Sequence, residues 1–200
     1  MGFKNGTFQL VVVALLIIFS ITTGWAEDNN DPESVETLYL IQISTGGIGY
    51  DQKTSVTEAF ELIKLGKLAQ ADGILDNVHN RFNALMNSNR KYVCFRRTED
   101  YRQFLNEIEA KQGRQAIHTY TLVHYSFAQV LYFKAFIASS QKQWSQAIKF
   151  LDREISYAPY DPQPHNEKGY ILNRQKKHQQ ALKSYKKAYT LATYSQFSKN

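Results

Sequence analysis

Five histidines and one cysteine are the side chains of this 200-residue sequence best suited to metal binding or nucleophilic catalysis. A zinc site on a helix needs two histidines four residues apart, or a Cys-x-x-Cys pair, and neither pattern occurs. No Gly-x-Ser-x-Gly nucleophile elbow is present. The spacings therefore predict no catalytic, cofactor-binding or metal site, and we expect a protein that is not an enzyme. The histidines are His79, His118, His124, His165 and His178.

Cys94 is the single cysteine, so an internal disulfide is excluded. It lies in the apolar run Tyr-Val-Cys-Phe, which predicts a small buried core residue. A reactive or intermolecular thiol would need an exposed, electropositive setting, and the neighbouring Arg96 and Arg97 keep that alternative open. A nucleophilic pair with a distant histidine is a further alternative, although nothing beside Cys94 resembles a known nucleophile context.

A glycine cluster, Thr45-Gly-Gly-Ile-Gly49, is the other segment whose composition suggests chemistry. Glycine-rich loops bind phosphate when they connect a strand to a helix and, in the P-loop, are followed by a Lys-Ser/Thr pair. Neither condition is met here. The cluster predicts a loop.

Residues 1–26 have the features of a secretory signal peptide. Lys4 supplies a basic start, residues 10–21 are almost wholly apolar, and the small residues Gly24 and Ala26 suit a cleavage site. The apolar run is shorter than the roughly 20 residues of a typical membrane-spanning helix. We expect export to the periplasm or out of the cell, and the alternative is an uncleaved N-terminal anchor.

The net charge of +6 is unevenly distributed. Residues 27–51 begin with an acidic, polar stretch that we expect to be partly flexible. The C-terminal part of the chain is basic, and a basic surface can bind nucleic acid, anionic lipid or an acidic protein. Because an exported protein rarely meets nucleic acid, we expect no nucleic-acid partner. Contact with a membrane surface or a protein remains open, as does a merely solvated helix face. The basic residues after Pro164 are Lys168, Arg174, Lys176, Lys177, Lys183, Lys186, Lys187 and Lys199.

Residues 52–200 have the apolar periodicity of a helical domain. Residues 52–83 are predicted to form a helix hairpin. Ala59 and Phe60 are among the apolar positions of its first helix, which ends at Gly66. Ala71 and Leu75 begin the apolar face of the second helix. Residues 84–113 follow as a helical segment that is out of phase with the rest. It is either a diverged repeat or an inserted helix pair.

Residues 115–140 predict one long helix, because apolar side chains occur nearly all round it and no glycine or proline interrupts it. A helix of this composition is buried between neighbours. We expect it to be the central element of the domain.

Two repeats, at about residues 114–160 and 161–195, share one spacing. Ala135, Ala147 and Leu151 in the first correspond to residues 34 positions later in the second, namely Gly169, Ala181 and Tyr185. Small residues at such positions let helix backbones approach closely. The first repeat has a predicted turn at residues 141–143, and the second has one at 176–178.

The period and the small residues resemble the tetratricopeptide repeat (TPR) family. The resemblance covers about residues 128–193 well and 52–82 weakly. It departs from the family pattern at four positions: Leu131 and His165 stand where tryptophan is common, Glu154 at a usual alanine, and Thr193 at a usual proline. The resemblance implies an all-α fold in which antiparallel helix hairpins stack as a short right-handed solenoid.

The same resemblance implies a scaffold that binds a protein or peptide partner in the cell envelope, without a reaction or a cofactor. In that family the first helix of each repeat lines the inner surface. By position this predicts Tyr132, Asn166, Tyr170 and Asn173 as partner-binding residues, with Lys176 and Lys177 as a separate basic site.

An alternative function is an envelope-assembly or immunity-type factor. Such a factor would occlude one specific protein through its terminal or convex surface. The sequence leaves the partner and the oligomeric state open.

Overall fold

A computed structural model describes residues 48–197, without the side chains of residues 114, 115, 118 and 194–197. The predicted signal peptide, residues 1–26, and all but the last four residues of the acidic segment 27–51 lie outside this range. The described chain is mostly helical, as predicted. Its seven α-helices are α1 (Lys53–Lys64), α2 (Leu68–Leu85), α3 (Thr98–Gln112), α4 (Ser126–Ser140), α5 (Trp144–Tyr157), α6 (Pro162–Arg174) and α7 (His178–Phe197).

Six of these helices pair as antiparallel hairpins, α1 with α2, α4 with α5, and α6 with α7. In all three connecting turns one residue has a left-handed backbone: Gly66 at φ 72°, and Lys142 and Lys176 at φ 61°. The N–H of that residue bonds the carbonyl three positions back, and the next N–H bonds a carbonyl five positions back, with N···O distances of 2.8–2.9 Å. This is the Schellman geometry, which satisfies carbonyls that a helix end leaves without a partner.

Between the first and second hairpins the chain forms a short parallel sheet. β1 (Lys91–Val93) pairs with β2 (Tyr120–Leu122) in the register Lys91–Tyr120, and an isolated bridge joins Ile48 to Val123. The prediction of one helix over residues 115–140 is therefore wrong. A 3₁₀-helix (Arg114–Thr119) and β2 occupy its first part, and α4 begins only at Ser126.

The composition of β2 explains this error. Tyr120, Thr121, Leu122 and Val123 are aromatic, β-branched or aliphatic residues, and most of them favour a strand. The three residues of β2 are half-buried, and over so short a run periodicity cannot distinguish a strand from part of a helix. The off-phase segment 84–113 is likewise only partly helical, since it contains β1 before α3.

The core of the hairpins is centred on Phe127 of α4, which is fully buried. Its ring centroid lies 4.7 Å from that of Phe82 on α2 and 4.7 Å from that of Tyr157 on α5. α4 therefore lies between the two neighbouring helices, and its other apolar residues extend the contact. Such offset and edge-on ring pairs stabilise a core beyond the area that they bury.

Two glycines are required by close packing. A Cβ atom at Gly49 would lie 1.9 Å from Cε1 of Phe82, and Gly49 also has a φ of 90°. A Cβ atom at Gly169 would lie 2.7 Å from the ring of Tyr185, so α6 and α7 approach more closely than alanine would allow. The predicted small residue at position 169 is thus explained by helix packing.

α3 packs around a separate aromatic cluster. The ring of Phe95 lies 5.3 Å from that of Tyr101 and 5.2 Å from that of Phe104, and Phe104 lies 4.9 Å from Tyr120 of β2. The backbone N–H of Cys94 donates to the carbonyl of Tyr157 at 2.8 Å. The segment between the hairpins is thereby attached to β2 and to the end of α5.

Candidate functional site

A cavity of about 570 Å³ lies along α1 and α4 and reaches the start of α6. Its volume falls within the range of sites that bind small molecules or peptide side chains. α1, α4 and α6 are the first helices of the three hairpins, so one side of the described domain presents all of them to the cavity. Its lining residues are Val56, Thr57, Phe60, Ile63, Lys64, Arg96, Tyr125, Gln129, Tyr132, Phe133, Phe136 and Gln163.

Aromatic rings form the apolar wall of the cavity. Phe60 of α1 stacks on Phe133 of α4 with ring centroids 5.4 Å apart, and Tyr132 meets Phe133 edge-on at 5.8 Å. Phe60 remains 40% exposed and Phe136 45% exposed. Large apolar side chains that stay this accessible in a concave surface mark an interaction site more often than isolated surface residues do.

The polar rim is built by Arg96, which follows β1, and by the beginning of α6. Arg96 Nη1 donates a 2.9 Å hydrogen bond to Oε1 of Gln163 and lies 4.0 Å from Oδ1 of Asp161. Asp161 caps α6 by accepting from the backbone N–H of Gln163 at 2.9 Å, and it also accepts from the hydroxyl of Tyr125, which directly precedes α4. Burial raises the pKa of Tyr125, and the adjacent Asp161 raises it further, so the hydroxyl stays protonated.

Both charged residues among those that line the cavity are cations. The ammonium group of Lys64 lies 5.0 Å from the ring centroid of Phe60, where the π-face attracts it. Arg96 is half exposed at the opposite part of the rim. Each cation also has an acid of the chain beside it, because Lys64 forms an ion pair with Glu61 and Arg96 lies near Asp161. The cavity therefore combines an aromatic wall with cationic hydrogen-bond donors at its edge.

Glu154 of α5 is fully buried, and neither of its carboxylate oxygens has a hydrogen-bond partner among the described residues. Burial raises its pKa well above the usual range, Asp161 and Glu167 raise it further, and Arg96 acts in the opposite direction. The carboxyl group of Glu154 therefore keeps its proton to a higher pH than an exposed glutamate does. The sequence carried a sign of this, because Glu154 occupies a position at which the resemblance predicts alanine.

Of the six predicted partner-binding residues, Tyr132 lines the cavity. Burial raises the pKa of its hydroxyl, and Glu167 acts in the same direction, while a hydrogen bond with the side chain of Gln163 lowers it. The structure thus places Tyr132 against the first turns of α6.

The other five predicted residues are exposed and lie outside the lining of the cavity. Asn166, Tyr170 and Asn173 are spaced i, i+4 and i+7 on α6, so they share one face of that helix. Asn173 has a structural role as well, because its Oδ1 lies 2.9 Å from Nδ1 of His178 across the turn to α7. Lys176 and Lys177 lie in that turn.

Sequence reasoning missed most of the residues that line the cavity. Phe133 and Phe136 were recognised as apolar residues but were assigned to a buried helix. Apolar residues occur nearly all round this helix, so the sequence pattern did not distinguish cavity-lining residues from core residues. Arg96 and Gln163 had no sequence sign, because they meet only in the folded chain, 67 positions apart.

Cys94 is buried, as predicted, with 1% of its surface exposed. Burial raises the pKa of its thiol, and the nearby Glu154 raises it further. A thiol of this kind carries little thiolate and is a poor nucleophile. The electropositive setting that would favour a reactive cysteine is absent from its described surroundings, since Arg96 is turned toward Gln163 and Asp161.

The described histidine side chains occupy separate settings. His124 Nδ1 lies 2.6 Å from the hydroxyl of Ser126, and His79 Nε2 lies 2.9 Å from Arg153. Burial, with a smaller contribution from Lys187, lowers the pKa of His165 to about 4, and its Nε2 is buried without a hydrogen-bond partner among the described residues. In the part of the chain that the structure describes, no group of three or more His, Cys, Asp or Glu residues is placed to hold a metal ion.

Within residues 48–197, no helix has both the length and the hydropathy needed to cross a bilayer. Comparison of the chain with protein-family models, with curated proteins and with solved structures finds no match in any of the three. The cavity geometry and the sequence pattern are therefore the basis for a functional assignment.

Proposed function

We propose that this protein is an exported, TPR-like scaffold that binds a peptide segment of a partner protein in the cavity along α1, α4 and α6. The observation that carries the proposal is the cavity itself, which the first helices of the three hairpins line with exposed aromatic rings. In the proposed mechanism the scaffold holds its partner by burial of apolar side chains and does not react with it.

The repeated turns support a solenoid of stacked hairpins. Gly66, Lys142 and Lys176 occupy the same left-handed position and make the same two backbone hydrogen bonds. Lys142 and Lys176 are 34 positions apart, which is the repeat period of the sequence. In this proposal the hairpins α1–α2, α4–α5 and α6–α7 are three repeat units of a right-handed stack, and the segment with β1 and α3 is an insertion.

The lining residues also indicate which peptides would fit. Phe60 and Phe136 offer half-exposed rings to aliphatic or aromatic side chains, and their burial would contribute about 25 cal/mol for each Å² removed from water. Lys64 and Arg96 at the rim would donate hydrogen bonds to a peptide carboxylate, which would share them with Glu61 and Asp161. The preferred partner is an apolar segment with an Asp or Glu beside it.

Selection from a random peptide library on the immobilised protein tests this preference. Apolar peptides that carry an acid should be enriched, and the doubly reversed variant Lys64→Glu/Arg96→Glu should instead enrich apolar peptides that carry a base. A library that yields no enrichment, or an enrichment that the reversal does not change, would contradict the proposed cavity chemistry.

A photo-crosslinking amino acid provides the positional test. Placed at position 136 it should capture the selected peptide, whereas at position 170 on the exposed face of α6 it should not. Phe136→Ala should weaken binding, and Tyr170→Ala is the matched control outside the cavity. Crosslinks at position 170 with none at 136 would contradict the cavity site and favour the face of α6 that the sequence predicted. Crosslinks at neither position, with the partner still bound, would favour the alternative, an envelope-assembly or immunity-type factor that occludes a protein through its convex or terminal surface.

Export is proposed on the basis of residues 1–26 alone. Mass spectrometry of the protein from its host would reveal a start at Glu27 if the signal peptide is removed after Ala26. An intact N-terminus would favour the membrane-anchored alternative.

A further inference from the structure

The outer face of the C-terminal helix α7 is unpartnered within the described part of the chain. α7 packs against α6 through residues that include Ala181, Ala188 and Leu191, all of them buried. Leu182 and Tyr189 lie away from that contact and are 49% and 72% exposed. Lys186 lies between them in the spacing i, i+4, i+7, so the three side chains form one stripe along the helix.

This hairpin carries the whole charge excess of the protein. Over residues 162–197 seven basic residues stand against one acid, Glu167, which gives +6. The complete chain has 24 basic and 18 acidic residues, so the remainder contains 17 of each and is neutral. Within the described domain, residues 48–161 contain 15 basic and 12 acidic residues, or +3, so the hairpin of 162–197 carries the larger part of the domain's positive charge.

Of the six lysines in residues 162–197, only Lys168 forms an ion pair with a described acid, Asp152. The other five are exposed, and none forms an ion pair with any described residue. α7 itself contains no Asp or Glu. Ammonium groups in this state attract a polyanion over a distance of about 8 Å at physiological salt. The five are Lys176, Lys177, Lys183, Lys186 and Lys187.

We propose that the outer face of α7 binds an anionic lipid surface. The lysines would contact phosphate groups, while Leu182 and Tyr189 enter the boundary between headgroups and acyl chains. A helix that lies in the plane of a membrane combines these two features, basic residues and accessible apolar side chains. An acidic protein would require only the cations, so the exposed Leu182 and Tyr189 favour lipid.

This surface is distinct from the peptide-binding cavity. No residue of α7 lines the cavity, which is formed by α1, α4, the start of α6 and Arg96. One protein could therefore hold a peptide while resting on a membrane. The two proposals fail or succeed independently.

Sedimentation of the full chain with lipid vesicles tests the inference. The chain should partition more strongly into vesicles of phosphatidylcholine mixed with phosphatidylglycerol than into vesicles of phosphatidylcholine alone. A lysine near an anionic surface contributes about a factor of five to partitioning, so Lys183→Gln/Lys186→Gln should reduce binding to the mixed vesicles about 25-fold. High salt should abolish most of the difference between the two kinds of vesicle.

Lys67→Gln/Lys149→Gln is the matched control, because it removes the same charge from exposed lysines outside α7. It should retain binding, as should the conservative variant Lys183→Arg/Lys186→Arg. The apolar residues 10–21 are present in every arm, so differences between variants report on α7. Circular dichroism of each variant verifies that it is folded.

Equal partition into both kinds of vesicle, or equal losses in the α7 variant and the control, would overturn the inference. Retention of the chain by immobilised poly-glutamate without preference for anionic vesicles would also overturn it, in favour of an acidic protein surface. Tyr189→Ser should weaken vesicle binding while leaving retention by poly-glutamate unchanged.

Discussion

The ammonium group of Lys134 on α4 lies 2.6 Å from Oδ1 of Asp76 on α2, and a second carboxylate, that of Asp72, lies 2.8 Å from it. Lys134 is 7% exposed, whereas Asp72 and Asp76 are about half exposed. Burial lowers the pKa of Lys134, but the hydrogen bonds to both carboxylates outweigh it and raise the pKa overall. A buried cation is thus held between two accessible anions.

This asymmetry predicts that removing the two acids lowers the free energy of unfolding more than removing the lysine does. Asp72→Asn/Asp76→Asn leaves a buried cation without a counter-ion. This should lower the free energy of unfolding by about 3–5 kcal/mol. Lys134→Met leaves two acids that water can solvate and should cost about 1 kcal/mol, the upper end for an exposed ion pair. Urea unfolding measures both, and an equal or reversed order would contradict the prediction.

Glu154 predicts a loss of stability as pH rises. Its folded pKa is raised above the unfolded value, so the folded chain binds the extra proton between those two pKa values. The free energy of unfolding should therefore fall as pH rises from about 4.5 through the folded pKa, and recover as pH is lowered. Urea unfolding at a series of pH values measures this slope.

Two substitutions of Glu154 distinguish the effect of its ionisation from the effect of its buried polar atoms. Glu154→Met removes two unpartnered oxygens at similar volume, so it should stabilise the protein by about 1–3 kcal/mol at neutral pH and flatten the slope. Glu154→Gln should also flatten the slope because glutamine cannot ionise. Its gain in stability should be smaller than that of Glu154→Met, because its polar atoms remain buried. An unchanged slope in both variants would show that another group is responsible.

The left-handed turn residue Lys142 predicts a stabilising substitution. A side chain in this conformation costs about 1–2 kcal/mol, which glycine avoids. Lys142→Gly should raise the free energy of unfolding by about 1 kcal/mol, and Gly66→Ala, at the equivalent position of the first hairpin, should lower it by a similar amount. Thermal unfolding of the two variants provides the comparison, and shifts of the same sign would refute it.

Local features of the sequence were sufficient to predict the helical hairpins. α5 spans Trp144–Tyr157, as predicted from the apolar spacing, and the turns that follow Leu65 and Arg174 lie where glycine or consecutive lysines interrupt the pattern. These features depend on residues within a few positions of one another. The periodicity of a helix and the position of its turn are decided at that range.

Pairing between distant segments was decided only by the tertiary structure. Residues 120–122 have an apolar composition that fits a helix or a strand, and their hydrogen bonds to residues 91–93 select the strand. Backbone groups of a strand are satisfied by another segment, whereas those of a helix are satisfied within it. A single segment therefore contains no information about its partner strand.

Some features of the candidate site were also visible in the sequence, and others appeared only in the folded structure. The family resemblance predicted Tyr132 as a partner-binding residue of a first helix and marked Glu154 as a departure from the family pattern. The sequence alone showed that basic residues are concentrated after Pro164. The fold decided that Phe60, Phe133 and Phe136 line one cavity, that Arg96 meets Gln163, and that Glu154 has no partner. Burial and cavity shape depend on how all the helices pack together, so they arise only in the folded protein.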